Sequence, residues 1–247
     1  MPLFRRLAAS CSALLFWLGP TQAAELRAYT EEFPPFNYRD GERISGYAHE
    51  LLLRIAREAG ISVDVILQPW PRALQSNERD ANSLLFTTVR TPQREQKYRW
   101  VGPLDSCDIE LLKLAGRRDI RIVSLTDLHQ YSIGLPAEGA DREVLQPLNL
   151  APDKLIRVPS SGSMVRMFYA GRFDLVSGIR LSYAYQARRL GLPAEQVESA
   201  WLLKKGYGCY YAFNPAVDDA LYQRFAAAFA TLLQNGEVAR LRDSYLH

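Results

Sequence analysis

The sequence predicts an α/β fold of parallel construction, divided into two lobes. Three observations carry that expectation. Strand-like and helix-like segments alternate from Leu26 to Arg72 with short connections, the pattern of parallel β/α units. After an exposed turn at Arg117-Arg118-Asp119 the alternation starts again. Strand-like segments join the two sets, with crossovers near residues 104–109 and 206–210.

Leu26 to Tyr29 reads as the first strand, followed by an aromatic loop from Thr30 to Tyr38 and a turn at Asp40-Gly41. From Tyr47 to Ala59, Leu51, Leu52, Ile55, Ala56 and Ala59 recur at helical spacing, and Gly60 supplies the stop. Ile61 to Leu67 is a second strand, Pro69-Trp70-Pro71-Arg72 opens a short helix, and Ser83 to Val89 is extended. In the second set Asp108 to Leu114 is a strand, Ser124 to Leu128 a short helix and Tyr131 to Leu135 a strand. Asp141 to Leu148 is a helix, Leu155 to Val158 a strand, Ser163 to Ala170 a helix capped by Gly171, and Phe173 to Ser177 a strand. Leu181 to Leu190 is a helix, Tyr207 to Phe213 a strand, and the helices Asp218 to Gln234 and Glu237 to Tyr245 close the chain. Ligands on such sheets sit at the carboxyl ends of strands, in loops that open the next helix. Phe33, Trp70, Thr87 and Arg94 all fall in or beside such loops.

The first residues read as a cleavable secretory signal over 1–23: Arg5 and Arg6, an apolar run from Leu7 to Leu18, a Gly19-Pro20 break and small residues at Ala23-Ala24. The run is too short to span a bilayer. Without Arg5 and Arg6 the net charge falls from +3 to +1, which argues against nucleic acid or an anionic membrane as main partner. Cys11 leaves with the signal, and Cys107 and Cys209 remain as a disulfide candidate in an oxidising compartment. His49, His129 and His247 lack companions at metal-ligand spacing, so no metal and no cofactor is expected.

The stretch from Thr87 to Pro103 is the most informative. Thr91-Pro92 reads as a helix start, with Thr as N-cap and Pro in the first helical position. That reading puts Arg94 beside free backbone N–H groups, a site suited to a carboxylate. The plainer alternative pairs Arg94 with Glu95 or another surface carboxylate.

PPFNYRDGERISGYAHELLLRIAREAGI (34–61), TPQREQKYRWVGPL (91–104), GRFDLVSGI (171–179) and EVARLRDSYL (237–246) occur in that order along the chain. Together they resemble the type II periplasmic solute-binding proteins of the polar amino-acid type, the bacterial extracellular solute-binding proteins of family 3. The resemblance implies a two-lobed type II periplasmic-binding-protein fold with two hinge strands, lobe 1 being 25–104 plus 210–247 and lobe 2 being 105–209. It implies a monomer in the periplasm that closes on one small molecule and serves an ABC permease or a membrane receptor. Carried over by position, Arg94 matches the arginine that grips the ligand's carboxylate, Phe33 the aromatic over the ligand, and Trp70 an apolar contact. Thr87 falls in the stretch that supplies hydroxyl and backbone partners. Gly139, Ala140 and Asp141, after Glu138, match the second-lobe carboxylate-binding loop with a one-residue insertion. Cys107 and Cys209 fall in the two hinge segments, which run side by side in this family.

One departure bears on the ligand. Where amino-acid binders place an Asp for the ligand's ammonium, this sequence has Ile179. A dry, unpaired ammonium costs several kcal/mol, about the penalty of an uncompensated buried charge. The expected ligand is therefore a small carboxylate-bearing solute with an apolar or aromatic body, or an amino acid recognised in another way. Asp174 reads as a structural carboxylate. No catalytic constellation is apparent and the chain is read as a binding protein, not an enzyme. A dehydratase on the same fold, using Glu31, Glu32 or Glu138, and a ligand sensor are the alternatives.

Overall fold

The structure, a computed structural model, describes residues 26–158 and 161–246. The expected signal segment lies outside the described residues. The chain runs β1 (Leu26–Thr30), β2 (Tyr38–Asp40), β3 (Arg43–Ser45), α1 (Tyr47–Ala59), β4 (Val63–Leu67), α2 (Trp70–Arg79), β5 (Ser83–Val89) and β6 (Arg99–Ser106). It continues with β7 (Ile109–Leu114), β8 (Ile133–Pro136), α3 (Ala140–Leu145), β9 (Leu155–Val158), α4 (Ser161–Tyr169), β10 (Leu175–Gly178) and α5 (Arg180–Arg189). The last elements are β11 (Val197–Lys204), β12 (Gly208–Phe213), α6 (Asp219–Gln234) and α7 (Glu237–Leu246).

Two five-stranded sheets result, in the orders β4-β1-β5-β12-β6 and β11-β7-β10-β8-β9. In the first, β1 is parallel to β4 and β5, and β12 is antiparallel to β5 and β6. In the second, β10, β8 and β9 are parallel, and β7 is antiparallel to β10 and β11. Each sheet thus has a parallel half and an antiparallel half, and the antiparallel half is the one that carries the crossings. The parallel half alone was expected from the alternation of elements.

The first sheet is covered on one side by α1, α6 and α7. Leu51, Leu52 and Ile55 of α1 pack with Phe225, Phe229 and Leu232 of α6 in one core that also holds Leu84, Phe86, Tyr211 and Phe213. Gly46 opens α1 at φ +117°, where a Cβ would collide with the Phe36 carbonyl. On the other side α2 brings Trp70 and Ala73 against Tyr29, Leu85 and Ala212. The second sheet has two cores of its own, one around Phe168, Phe173 and Val176 and one around Leu111, Ile133 and Leu175.

The chain leaves the first sheet between β6 and β7 and returns between β11 and β12. The two crossings lie side by side: the Cys107 N–H donates to the Tyr207 carbonyl (2.8 Å) and the Gly206 N–H to Asp108 (2.7 Å). A Cys107–Cys209 disulfide ties them, with Cα atoms 5.5 Å apart. It joins residues 102 positions apart in sequence.

Two expectations are corrected. No helix starts at Thr91-Pro92. Residues 92–94 make a turn in which the Arg94 N–H donates to the Thr91 carbonyl (3.0 Å), and only Glu95–Lys97 is helical, as one 3-10 turn. The connection from β5 to β6 is nine residues long, which leaves no room for a capped α-helix. Strands β6 and β11 were not expected, because neither alternates cleanly. β6 contains Gly102-Pro103, and β11 shifts register between Ser199 and Trp201 and again between Leu202 and Lys204.

Candidate functional site

A cavity of about 570 Å³ lies between the two sheets, and both contribute to its wall. From the first come the loop after β1 (Glu31, Glu32, Phe33), the β4–α2 corner (Gln68, Pro69, Trp70) and Thr87, Val89 and Arg94. From the second come the β8–α3 loop (Glu138, Gly139, Ala140, Asp141) and the end of β10 with the start of α5 (Ser177, Gly178, Ile179, Ser182). These are the loops at the carboxyl ends of parallel strands, where the fold leaves room for a ligand. All eight residues singled out from the sequence (Phe33, Trp70, Thr87, Arg94, Gly139, Ala140, Asp141 and Ile179) line this one cavity.

Their surroundings differ. Trp70 is buried among Tyr29, Leu85 and Ala212, so it is a core residue whose accessible edge faces the cavity. Phe33 is half-buried and stacks on Phe36 with ring centroids 5.2 Å apart. Ile179 sits just before α5 and packs against the core of the first sheet. Thr87 has φ +57°, a backbone conformation that a β-branched residue rarely takes. Such an outlier persists only where its surroundings determine it, and here the Thr87 hydroxyl donates to the Asn37 side-chain oxygen. The Asn37 amide in turn donates to Thr30 Oγ1 (2.8 Å) and to the Glu31 carbonyl (2.5 Å). Asn37 thereby fixes the backbone on which Glu31 and Phe33 stand.

Arg94 pairs neither with Glu95 nor with an anion at a helix end. Its Nε donates across the gap to Glu143 of α3 (2.8 Å), and Glu143 also accepts from the Thr91 hydroxyl (2.6 Å). The Arg94 side chain is only 11 % exposed and still lines the cavity. Glu95 is held instead by Arg90. Three further contacts cross the gap at its other end. Ser182 Oγ donates to the Pro34 carbonyl (2.6 Å), the Tyr38 and Tyr185 hydroxyls share a hydrogen bond (3.0 Å), and Arg189 lies over the Tyr38 ring near Asp40.

Two acids inside the cavity stand apart. Burial pushes the Glu31 carboxyl up to about 8, the charge of Asp141 pushes the same way, and Arg94 opposes both. Burial also raises Asp141, against a hydrogen bond from Ser177 Oγ (2.6 Å) and the charge of Arg94. Asp174 behaves as the structural carboxylate expected of it. Burial opposes its ionisation, but the Ser132 N–H (2.8 Å) and hydroxyl (2.7 Å) and the Arg117 guanidinium (2.8 Å) outweigh burial and hold it below the usual range. Among the described residues no group of three or more His, Cys, Asp or Glu is placed to hold a metal ion.

Sequence reasoning had not assigned Asn37, Glu143 or Ser177 to the site. Glu31 was available from its place directly after the first strand. Glu143 carried no such signal, because its partners lie 49 and 52 residues away.

Residues 26–247 match the bacterial extracellular solute-binding proteins, family 3. The chain belongs to that family. A solute-binding role follows from the membership. A comparison with curated sequences finds no match. Solved structures with the same fold include a histidine kinase sensor domain with similarity to periplasmic binding proteins (19 % identity, 90 % of this chain and 96 % of that one, TM-score 0.79). They also include the arginine-, lysine-, histidine-binding protein ArtJ from Geobacillus stearothermophilus (15 %, 90 % and 95 %, 0.76). A third is the ancestral amino acid-binding protein AncCDT-1, a precursor of cyclohexadienyl dehydratase (16 %, 90 % and 95 %, 0.75). The two-lobed type II periplasmic-binding-protein fold expected from the sequence is the fold these share.

Proposed function

We propose that this family member is an exported, periplasmic protein that captures a small carboxylate-bearing solute, an amino acid or a related organic acid, and passes it to an ABC permease. Lobe 1 (25–104 plus 210–247) and lobe 2 (105–209) close on the solute as two bodies, hinged where the disulfide joins the two crossings. The observation that carries this reading is the cavity itself: it exists only because both lobes supply its wall. A ligand in it touches both lobes only in the closed form and so stabilises that form by its extra contacts. Arg94 receives the ligand's carboxylate on the guanidinium nitrogens not used by Glu143, with Phe33, Trp70 and Ile179 against its body and Thr87 and the Gly139-Ala140 backbone as polar partners.

The test is a thermal-shift screen of amino acids and organic acids on the signal-free chain, with calorimetry on the hits. Arg94→Ala should cost about 2–5 kcal/mol of affinity, as loss of one member of a buried charge pair does. Glu143→Gln separates the roles, since it removes the negative charge that pairs with Arg94 across the gap and keeps the guanidinium. An Arg94→Ala affinity within twofold of the unchanged chain defeats the assignment.

A second reading is ligand sensing through a membrane receptor, which the likeness to a histidine kinase sensor domain favours. Among the described residues no helix is long and apolar enough to cross a membrane, so the receptor would be a separate protein or lie outside those residues. An enzymatic role, the dehydratase alternative, finds support only in the fold shared with AncCDT-1.

A further inference from the structure

Two segments of the first sheet reach the cavity, the loop after β1 and the end of β5, and one buried side chain holds both. Strand β5 is irregular where it meets the cavity. Against β12, Leu85 faces Ala212 and Thr88 faces Tyr210, so Phe86 and Thr87 together stand opposite Tyr211 alone. That is a β-bulge, which bends a strand and re-aims its side chains. Leu84 and Phe86 pack in the core under α1 and α6, and Leu85 joins Trp70 on the other face. Val89 nevertheless packs against the first core again, which an unbroken alternation would not allow. The bulge is costly. Thr87 sits at φ +57°, and the neighbouring Thr88 hydroxyl is buried with no partner among the described residues.

What holds the bulge is Asn37, which is fully buried and stands behind the cavity wall. Its side-chain oxygen accepts from the Thr87 hydroxyl, and its amide donates to Thr30 Oγ1 (2.8 Å) and to the Glu31 carbonyl (2.5 Å). The Thr30 hydroxyl donates onward to the Phe86 carbonyl (3.2 Å), so both bulge residues are tied to the same amide. The Asn37 backbone completes the grip: the Phe33 N–H donates to the Asn37 carbonyl (2.7 Å), and the Asn37 N–H to the Phe33 carbonyl (3.2 Å). We propose that Asn37 is a positioning residue: it holds the β5 bulge and the loop after β1 in one arrangement, so that this wall is formed before a solute arrives. Phe33 and Thr87 meet the solute, and Asn37 acts through them. A buried amide with both donors and its acceptor engaged specifies a single arrangement, where an apolar side chain of equal volume would only fill space. A wall already ordered spares the solute the entropy of ordering it. Loosened, it is competent for a smaller fraction of the time, and apparent affinity falls by that fraction. The effect on affinity rests on the solute-capture reading above; the order of the two segments in the empty chain does not.

The experiment joins hydrogen exchange of the empty signal-free chain, read amide by amide, to calorimetric titration with the common amino acids and their α-deaminated acids. Asn37→Ala removes the whole side-chain grip. Thr30→Val removes only the hydroxyl between Asn37 and the bulge, and Thr30→Ser puts it back. In Asn37→Ala the amides of Phe33 and of residues 86–89 should exchange faster together, by at least about tenfold, while those in the middle of α1 and α6 keep their rates. Any probe that the unchanged chain binds should bind this variant at least about tenfold more weakly. Thr30→Val should show a smaller loss of both kinds, and Thr30→Ser should recover exchange and affinity to within about twofold. A purely structural Asn37 would lower the melting temperature and speed exchange everywhere, yet leave the affinity of the folded variant within about twofold; that result overturns the positioning role. Faster exchange at one segment without the other overturns it as well. When no probe binds the unchanged chain, it is the solute-capture reading that fails, and the exchange rates alone decide whether Asn37 holds both segments. Should Asn37→Ala not fold, the contrast between Thr30→Val and Thr30→Ser decides.

Discussion

At the rim of the gap Glu143 is engaged by Thr91 and Arg94 of the opposite wall, whereas inside it, among the described residues, no hydrogen bond reaches the Glu31 carboxyl and Asp141 is held from its own wall, by Ser177 and its own backbone N–H. Both places set an acid of one lobe near groups of the other. At the rim, the protein supplies the contacts that hold the lobes together, and they are worth the same with or without a ligand. In the interior, the protein withholds them. Only a group that arrives with the ligand changes the energy there, and only such differential contact shifts the open–closed equilibrium. In the proposed capture mechanism the rim therefore sets how nearly closed the empty protein is, and the interior sets what closes it further.

The sharpest way to break this division is at Glu143. Glu143→Gln turns an ion pair into a hydrogen bond from the guanidinium to a neutral amide and should cost the closed form about 1.5–3 kcal/mol. The ligand-free chain should then show a larger radius of gyration in small-angle scattering, and hits should bind more weakly by the same mechanism while keeping their order of preference. A changed order of preference would mean that Glu143 belongs to the recognition site and not to the rim.

The interior acids should make the empty protein respond to pH. The Glu31 carboxyl is lifted from its ordinary 4.5 to about 8 in the closed protein, and Asp141 is lifted too. A raised acid favours its neutral form, so the empty closed state is best tolerated below about pH 4.5 and becomes progressively less favourable as pH rises toward 8. The facing groups are Asp141, which adds to the lift, and Arg94, which reduces it. Scattering of the ligand-free chain from pH 5 to 8 should show opening with rising pH, and Glu31→Gln should flatten most of that change. A radius that stays constant over this range in the unchanged chain contradicts the interior assignment.

Much of the fold could be read from the chain because its signals are local. The α1 stripe of Leu51, Leu52 and Ile55 between Gly46 and Gly60 specifies a helix by itself, and the parallel strands are short apolar runs between such helices. The antiparallel strands β6 and β11 were hidden because Gly102-Pro103 and the register shifts destroy the period of two. The site was partly readable for the same reason: each lining loop follows a recognisable strand. What joins the loops was not. Thr91 reads as a helix cap in the sequence, yet its hydroxyl serves Glu143, and nothing near either residue announces a contact across 52 positions. A resemblance fixed where Arg94 would be, but not that part of its charge is already answered.

The smallest expected effect lies at the far end of the rim, at the neutral contact between two tyrosines. The Tyr38 and Tyr185 hydroxyls are 3.0 Å apart, and the two rings meet at 5.8 Å. Burial, with the shared hydrogen bond after it, raises the Tyr38 phenol well above its ordinary value, so this contact stays neutral wherever Glu31 titrates. Tyr185→Phe removes the hydroxyl and keeps the ring packing. Its cost to the closed form should be about 0.5–1 kcal/mol, a single neutral hydrogen bond with water able to replace the lost partner. Binding of a hit should weaken by no more than roughly fivefold, and the pH response of the empty chain should keep its shape. A rim change that altered the pH profile would show that Tyr185 senses the interior acids, and the division between a rim that holds and an interior that chooses would have to be given up.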